Sequence, residues 1–168
     1  MIKLDMGWPG QEREGWRGWS LKPETRSFDT ELVERLLVVA MEKAQHAYAR
    51  YSGFRVGAAL VMYDDPQAQV FSGVNVESAT YGATICAERS AIAQAVGSGF
   101  RHLGILAVAT PDAKHETPSY RSPCGICRQV ICEFSSPEKS LVCAHSTLPE
   151  RKADVFTISS LLPHGFTL

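Results

Sequence analysis

Apolar residues recur at helical spacing early in the chain. Leu32 and Leu36 lie on one stripe of a helix that Asp29 or Thr30 can cap. Gly53 is the first glycine after this stretch, and glycine commonly ends a helix. We therefore predict an amphipathic helix that begins at residue 29 or 30 and is closed by Gly53.

Strand-like and helix-like segments alternate along the rest of the chain. Residues 103–109 (LGILAVA) are apolar throughout, which is typical of a central strand buried on both faces. Four more strands are predicted over residues 55–62, 69–74, 140–144 and 154–158, with a turn at 64–66. Helices are predicted from about Ile85 to Gly97, from Pro123 onward and over 159–162, and residues 110–122 are expected to form a loop. This order predicts an α/β or α+β fold in which helices pack on a mixed sheet in three layers.

Length and charge narrow the possible functions. The chain has 168 residues, 45% of them hydrophobic and 21% charged, which is typical of one globular domain. Lysine and arginine number 17 and aspartate and glutamate 18, so the net charge is −1. Proteins that follow a nucleic-acid backbone usually carry a basic excess. We therefore expect no nucleic-acid partner.

The first 28 residues differ from the rest. They hold all three tryptophans and show no regular period, so we predict an N-terminal extension over 1–28 and a folded domain over 29–168. Whether this extension is loose or is held against the body by its tryptophans stays open. The start of the chain has no apolar signal-peptide stretch, and no run reaches membrane-spanning length. The expectation is a cytoplasmic protein without a membrane partner.

Cysteine is the first clue to chemistry. In a reducing compartment, free cysteines serve as metal ligands, reactive thiols or core residues. Cys124 and Cys127 are three residues apart at the start of a predicted helix, so their sulfurs share a face, and Cys86 stands at the start of another. The remaining two, Cys132 and Cys143, are expected to be buried as small hydrophobic residues.

Three thiolates predict an open zinc site. Three protein ligands leave one tetrahedral position for water, as in catalytic zinc centres. The excess negative charge would be offset by two helix N-termini and by hydrogen bonds from Arg89 and Arg128. Glu88 can face such a site only if the site lies beyond the end of its helix. A closed structural zinc site and a redox dithiol remain alternatives, although neither gives a reason for Glu88.

Two short motifs together match the all-cysteine form of the zinc deaminase signature: Cys86-Ala87-Glu88 and, later in the chain, Pro123-Cys124-Gly125-Ile126-Cys127. From about residue 30 onward the chain resembles the small homotetrameric cytidine deaminases. The resemblance rests on four ordered blocks: YSGFRVGA at 51–58, GVNVE at 73–77, CAERSA at 86–91 and SPCGICRQV at 122–130. It implies the three-layer α/β fold of that family, with a mixed five-stranded sheet and helices on both faces.

The resemblance also implies a role for each matching residue. Cys86, Cys124 and Cys127 would hold one Zn²⁺ per subunit, and Glu88 would carry protons. Asn75 and Glu77 would bind the ribose 3'-hydroxyl, Phe54 would line the base pocket and the Ala87 N–H would contact the pyrimidine. Tyr81 would line a wall between subunits, and Phe166 would reach a neighbour's site.

The activity implied is hydrolytic deamination of cytidine and 2'-deoxycytidine, with release of ammonia, in pyrimidine salvage. Ser78 departs from the usual Asn of the family, and the chain stops at Leu168, soon after Phe166, more as blasticidin S deaminases do. A deaminase of such a cytosine-nucleoside antibiotic is therefore the nearest alternative. An RNA-editing deaminase is a further alternative, which the absence of a basic excess disfavours.

Overall fold

A five-stranded sheet forms the middle of three layers in the computed structural model, which describes residues 30–115, 117–136, 139–145 and 153–167. The predicted extension over 1–28 lies outside the described residues. Along the described chain, the elements are α1 (Thr30–Ala44), β1 (Gly57–Met62), β2 (Phe71–Val74), α2 (Ala87–Gly97), β3 (Leu103–Ala109), α3 (Pro118–Arg121), α4 (Gly125–Phe134), β4 (Leu141–His145), β5 (Ala153–Thr157) and α5 (Ile158–Leu161). None of the described helices is long and apolar enough to span a bilayer.

The strand order places the starts of two helices at one end of the sheet. The order is β2-β1-β3-β4-β5, in which β3 and β4 pair in parallel and the other neighbours are antiparallel. Because β1 is antiparallel to both of its neighbours, β2 and β3 run in the same direction. The segments that leave β2 and β3 therefore emerge at the same end, and they lead to α2 and α4.

The two faces of the sheet bury separate apolar clusters. Ala58 and Leu60 of β1 face the cluster formed with α2, α4 and α5, whereas Ala59 and Val61 face the cluster formed with α1. This alternation follows from the two-residue period of a strand. The predicted fold class, with a mixed five-stranded sheet and helices on both faces, is confirmed.

Two glycines allow helices to lie close to the sheet. A Cβ atom on Gly57 would stand 1.9 Å from the Ala40 carbonyl oxygen of α1, and one on Gly73 would stand 2.5 Å from the Ala91 nitrogen of α2. Both obstacles are backbone atoms, which cannot rotate away. Gly73 in particular sets the depth at which α2 packs, and so where its N-terminus lies.

The prediction that Gly53 closes the first helix is wrong, because α1 ends at Ala44. After three further turn-like bonds, from the N–H groups of residues 45–47, the chain leaves the helix axis, and the Tyr48 N–H donates to the Asn75 carbonyl at 3.0 Å. A long-range pairing with the chain after β2 therefore overrides local helix propensity. Gly53 instead adopts a left-handed φ of 67° in a later turn.

Other boundaries move by a few residues for local reasons. The first strand starts at Gly57 instead of residue 55, because the N–H groups of Arg55 and Val56 donate to side chains. The second starts at Phe71, since Asp65 accepts the Gln69 N–H at 2.8 Å. The expected loop over 110–122 contains the short helix α3, and a 3₁₀ turn, Tyr81–Ala83, precedes α2.

Candidate active site

Two cysteines occupy the N-cap positions of α2 and α4. Cys86 precedes the first residue of α2 and Cys124 precedes that of α4, both with extended backbone. Serine or aspartate at an N-cap normally accepts a hydrogen bond from its own helix, but neither of these side chains does so within the described structure. Both sulfurs therefore project beyond the helix ends, with 3.9 Å between them.

Cys127 completes the cluster from the first turn of α4. Its side chain is buried, whereas Cys86 is half-buried and Cys124 is exposed. The three sulfur atoms all lie within 4.8 Å of one another. Within the described part of the chain, this is the one cluster of three or more histidine, cysteine or carboxylate side chains close enough to share a metal ion. Cys143 is fully buried, which confirms its prediction. The prediction that Cys132 is buried is wrong, because it lies at the edge of the core formed with α2, α4 and α5 and is half-buried.

The cluster fits a zinc ion in spacing and in charge. Tetrahedral coordination with zinc–sulfur bonds of about 2.3 Å places sulfurs about 3.8 Å apart, close to the separation of Cys86 and Cys124. A hydrogen bond from Cys127, supported by Arg89, lowers the pKa of Cys86 to about 5. The same contact with the Cys86 thiolate, together with burial, raises the pKa of Cys127. Close packing thus disfavours a second thiolate, a penalty that a dication would relieve.

Glu88 is the second residue of α2 and lies beside this cluster. Its side chain is only 4% exposed. Burial is the main cause that raises its pKa to about 7, and the charge of Cys86 adds to the effect. Its own backbone N–H and a hydrogen bond from Cys127 oppose the rise. The carboxyl group therefore has a pKa suited to exchanging protons near neutral pH.

The two predicted charge-tuning arginines lie in different surroundings. Arg89 donates through Nη2 to the Thr84 carbonyl at 2.7 Å and to the Cys86 sulfur at 3.9 Å. Arg128 instead donates to the Pro123 carbonyl at 2.7 Å, the Leu161 carbonyl at 3.0 Å and the Ser122 hydroxyl at 3.0 Å. The described bonds of Arg128 therefore brace the loop before α4, while Arg89 touches a sulfur directly.

Asn75 and Glu77 both hold the segment before β1. The Asn75 side chain accepts from the Val56 N–H at 2.7 Å and donates to the Phe54 carbonyl at 2.9 Å. Glu77 accepts from the Tyr51 N–H at 2.7 Å and from both the N–H and the hydroxyl of Ser52. These bonds lower the pKa of Glu77, the Ser52 hydroxyl most of all. The predicted ribose-binding side chains thus also organise the segment that carries Phe54.

The remaining predicted contact residues are buried to different degrees. Ala87 is fully buried at the first position of α2, and Phe54 is half-buried. Tyr81 is 81% exposed and Phe166 is 65% exposed. The Phe166 carbonyl accepts from the Gln129 side chain at 2.7 Å, which ties the end of the described chain to α4. Tyr81 follows a turn in which the Ser78 hydroxyl accepts the Thr80 N–H at 3.1 Å.

Four supporting residues were not singled out from the sequence. Ser52 bonds Glu77, Thr84 accepts from Arg89, Ser122 accepts from Arg128, and Asp112 binds Arg55. Ser52 and Ser122 lie inside the matched blocks, which is a signal that could have identified them. Asp112 and Thr84 lie in loops outside those blocks, and only the folded structure brings them to their partners.

Comparison with known proteins agrees with this geometry. A family model described as the cytidine and deoxycytidylate deaminase zinc-binding region matches residues 30–144, which include all three clustered cysteines and Glu88. The chain belongs to this deaminase family. The resemblance predicted from the four sequence blocks is therefore confirmed.

Individual deaminases match most of the chain. The cytidine deaminase of Halalkalibacterium halodurans is 38% identical over 136 residues, which cover 80% of this chain and 93% of that protein. A crystal structure of cytidine deaminase from Burkholderia pseudomallei has a TM-score of 0.67 at 36% identity, covering 79% of this chain and 98% of that one. The blasticidin-S deaminase of Bacillus cereus is 32% identical over 142 residues, covering 83% and 92%.

Proposed function

We propose that this deaminase hydrolyses cytidine and 2'-deoxycytidine to uridine and 2'-deoxyuridine and releases ammonia. The observation that carries the proposal is the meeting of three cysteine sulfurs, within 4.8 Å of one another, with the buried carboxyl group of Glu88. The curated cytidine deaminases at about 38% identity support the choice of substrate. Asn75 and Glu77, each held by hydrogen bonds to the 51–56 segment, support a nucleoside over a free base.

Cys86, Cys124 and Cys127 would hold one zinc ion in each subunit. When bound, zinc supplies Lewis acidity that makes a water molecule a nucleophile near neutral pH. The helix N-termini of α2 and α4 point at the sulfurs, and Arg89 donates to one of them. Both features offset the negative charge of the three thiolates, so that a bound zinc ion would keep its Lewis acidity.

Glu88 would move the protons of the reaction. Its buried carboxylate accepts a proton from the attacking water as the new C4–O bond forms, and delivers it to N3 of the pyrimidine. It then passes the remaining water proton to the departing amine as the C4–N bond breaks, which yields ammonia and the keto product. Burial raises the pKa of the Glu88 carboxyl group toward neutrality, which helps it both to take and to give a proton.

The other predicted residues would position the nucleoside. Phe54 would face the base, the Ala87 N–H at the start of α2 would contact the pyrimidine, and Asn75 with Glu77 would bind the ribose. Burial of Asn75 and the lowered pKa of Glu77 support this role, since both side chains are preorganised. An ionised carboxylate has acceptor sites beyond those that Tyr51 and Ser52 use.

We propose a homotetramer with sites near its subunit interfaces. Apolar side chains are exposed close to the N-termini of α2 and α4: Tyr81 is 81%, Ile126 65% and Ile85 45% exposed. Phe166, at 65%, belongs to the same set. Exposed patches of this kind mark interaction surfaces. Sedimentation velocity at assay concentrations tests this proposal, since a monomer that is fully active would contradict it.

The cytoplasm is the proposed compartment, because reduced thiols are required for the metal site. Pyrimidine salvage is the proposed pathway, since the substrate is a free nucleoside.

A substrate panel tests the reaction. Purified, zinc-loaded protein is incubated with cytidine, deoxycytidine and blasticidin S, with and without a chelator, and absorbance and ammonia are followed. The proposal predicts chelator-sensitive loss of cytidine and deoxycytidine. Turnover of blasticidin S alone would assign the chain to antibiotic resistance. Failure on all three substrates with zinc bound would overturn the proposed reaction.

A further inference from the structure

The segment from Tyr51 to Val56 is irregular, yet each of its backbone N–H groups has an acceptor. Tyr51 and Ser52 donate to Glu77, Gly53 to the Ala49 carbonyl, Phe54 to the Ser52 hydroxyl, Arg55 to Asp112 and Val56 to Asn75. Three of the acceptors are side chains distant in sequence. The 51–56 segment is therefore held by Asn75, Glu77 and Asp112 instead of by regular secondary structure.

Asp112 differs from the other two acceptors. Asn75 and Glu77 are assigned to the ribose, so their substitution would disturb substrate contacts and the segment together. Asp112 follows β3 by three residues and has no proposed contact with the nucleoside. Of the three side-chain acceptors, Asp112 is therefore the one whose effect on the 51–56 segment can be separated from direct contact with the nucleoside.

The Asp112 carboxylate binds both the backbone and the side chain of Arg55. Its Oδ2 accepts from the Arg55 N–H at 2.9 Å and from Nε at 2.8 Å, and its Oδ1 accepts from Nη2 at 2.8 Å. Arg55 also donates through Nη1 to Gln45 at 2.9 Å, just beyond α1. This paired geometry is the strong form of a charge-assisted hydrogen bond. It fixes the residue that directly follows Phe54.

We propose that Asp112 is a positioning residue that fixes the 51–56 segment through Arg55, places Phe54 against the pyrimidine base, and so sets the affinity for the nucleoside. The substrate part of this proposal rests on the proposed function. Asp112 touches neither the thiol cluster nor Glu88 in its described bonds, so the chemical step is expected to be preserved.

The test compares Asp112→Ala with matched variants. Asp112→Ala removes all three bonds to Arg55 and is expected to raise KM for cytidine about tenfold, with kcat within about threefold of wild type. A tenfold change is about the size that one hydrogen bond to a charged group contributes. Asp112→Asn keeps an oxygen for the Arg55 N–H, and Arg55→Ala keeps that backbone bond, so both are expected to raise KM less. Asp64→Ala is the control, because Asp64 accepts the N–H groups of Arg101 and His102 at 2.8 and 3.2 Å beyond the far end of β1.

Hydrogen exchange without substrate supplies a readout independent of activity. Peptides that cover 51–56 are expected to exchange faster in Asp112→Ala, with the core strands unchanged. In Asp64→Ala the faster exchange is expected around Arg101, with KM unchanged.

Two results for Asp112→Ala would overturn the proposal: unchanged exchange over 51–56, or faster exchange there with unchanged KM. A fall in kcat as large as the rise in KM, together with a lower Tm, would also overturn it, because it would indicate general destabilisation. If the wild type does not turn over cytidine, the proposed function fails. Exchange alone then decides the positioning claim, and unchanged exchange overturns it.

Discussion

Cys86 and Cys124 are equivalent residues on two different helices: each is an N-cap, and their sulfur atoms lie 3.9 Å apart. They meet because β2 and β3 run in the same direction, so the segments that follow both strands leave one end of the sheet. Cys127 joins them from the first turn of α4. The cluster of three sulfurs is therefore a consequence of the topology, and each helix contributes its N-terminal dipole as well as a cysteine that could bind a metal.

Loss of one clustered cysteine is expected to abolish metal binding at neutral pH. Cys124→Ser removes a thiolate from the set of three, and zinc affinity should fall by more than the roughly 10- to 100-fold typical of losing a neighbouring support residue. Zinc content after dialysis against a competing chelator measures this. Cys132→Ser is the matched control, since Cys132 lies outside the cluster of three sulfurs and should leave zinc content unchanged. Equal zinc loss in both variants would contradict the assignment.

The clustered cysteines and Glu88 could be predicted from the sequence, but the residues that hold the neighbouring 51–56 segment could not. The spacing of Cys124 and Cys127 and the Cys86-x-Glu88 pair were sufficient to predict a three-thiolate cluster with an acid beside it, because these residues are local to two helix starts. The sequence did not predict that Asn75 and Glu77 hold the 51–56 segment, nor that Asp112 does. Those contacts join residues 19 to 57 positions apart, and no local pattern specifies them.

Gly73→Ala is expected to damage the site from a distance. The new Cβ would meet the Ala91 nitrogen at 2.5 Å and the Ala87 carbonyl at 2.6 Å, so α2 must move. Overpacking of this kind costs about 1–3 kcal/mol, and here it also displaces the helix start that carries Cys86 and Glu88. Tm and zinc content should both fall.

Gly97→Ala is the control for this change. A Cβ at Gly97, the last residue of α2, meets no atom within 4 Å, and its backbone is not in the left-handed region. Alanine is favoured over glycine in helices by about 1 kcal/mol at most, so Tm should rise slightly or stay constant. A larger loss of stability in Gly97→Ala than in Gly73→Ala would contradict the close packing of α2 on Gly73.

The ion pair of Arg55 and Asp112 predicts a pH dependence of stability. The Arg55 side chain lowers the pKa of Asp112 from its ordinary value of 3.8 to about 2. A carboxyl group with a depressed pKa stabilises the fold above its unfolded pKa and loses that contribution as pH falls through the folded one. The wild type should thus have a higher urea midpoint than Asp112→Asn, by an amount that is largest above about pH 4 and shrinks toward pH 2. In an Arg55→Ala background, the pH dependence of this difference should be much smaller. An equally large pH dependence there would show that the Arg55 side chain does not lower the pKa of Asp112.

Element types were easier to predict than their ends. All five described strands were predicted within one or two residues because their apolar runs are strong and turn residues flank them. The end of α1 was missed by nine residues, from Ala44 to Gly53, since the helical pattern stops where Tyr48 pairs with the chain after β2. Tertiary hydrogen bonds decided that boundary, and local propensity does not report them.

Turnover by Glu88→Gln, with zinc content determined on the same sample, tests whether the buried carboxyl group carries the protons of the reaction. Glutamine keeps the shape of the buried side chain but cannot carry a proton. We expect full zinc occupancy, a Tm close to that of wild type, and a fall in kcat for cytidine of at least about 10²- to 10⁴-fold, the usual contribution of a general acid–base. Substantial cytidine turnover by zinc-loaded Glu88→Gln would show that Glu88 does not carry the protons.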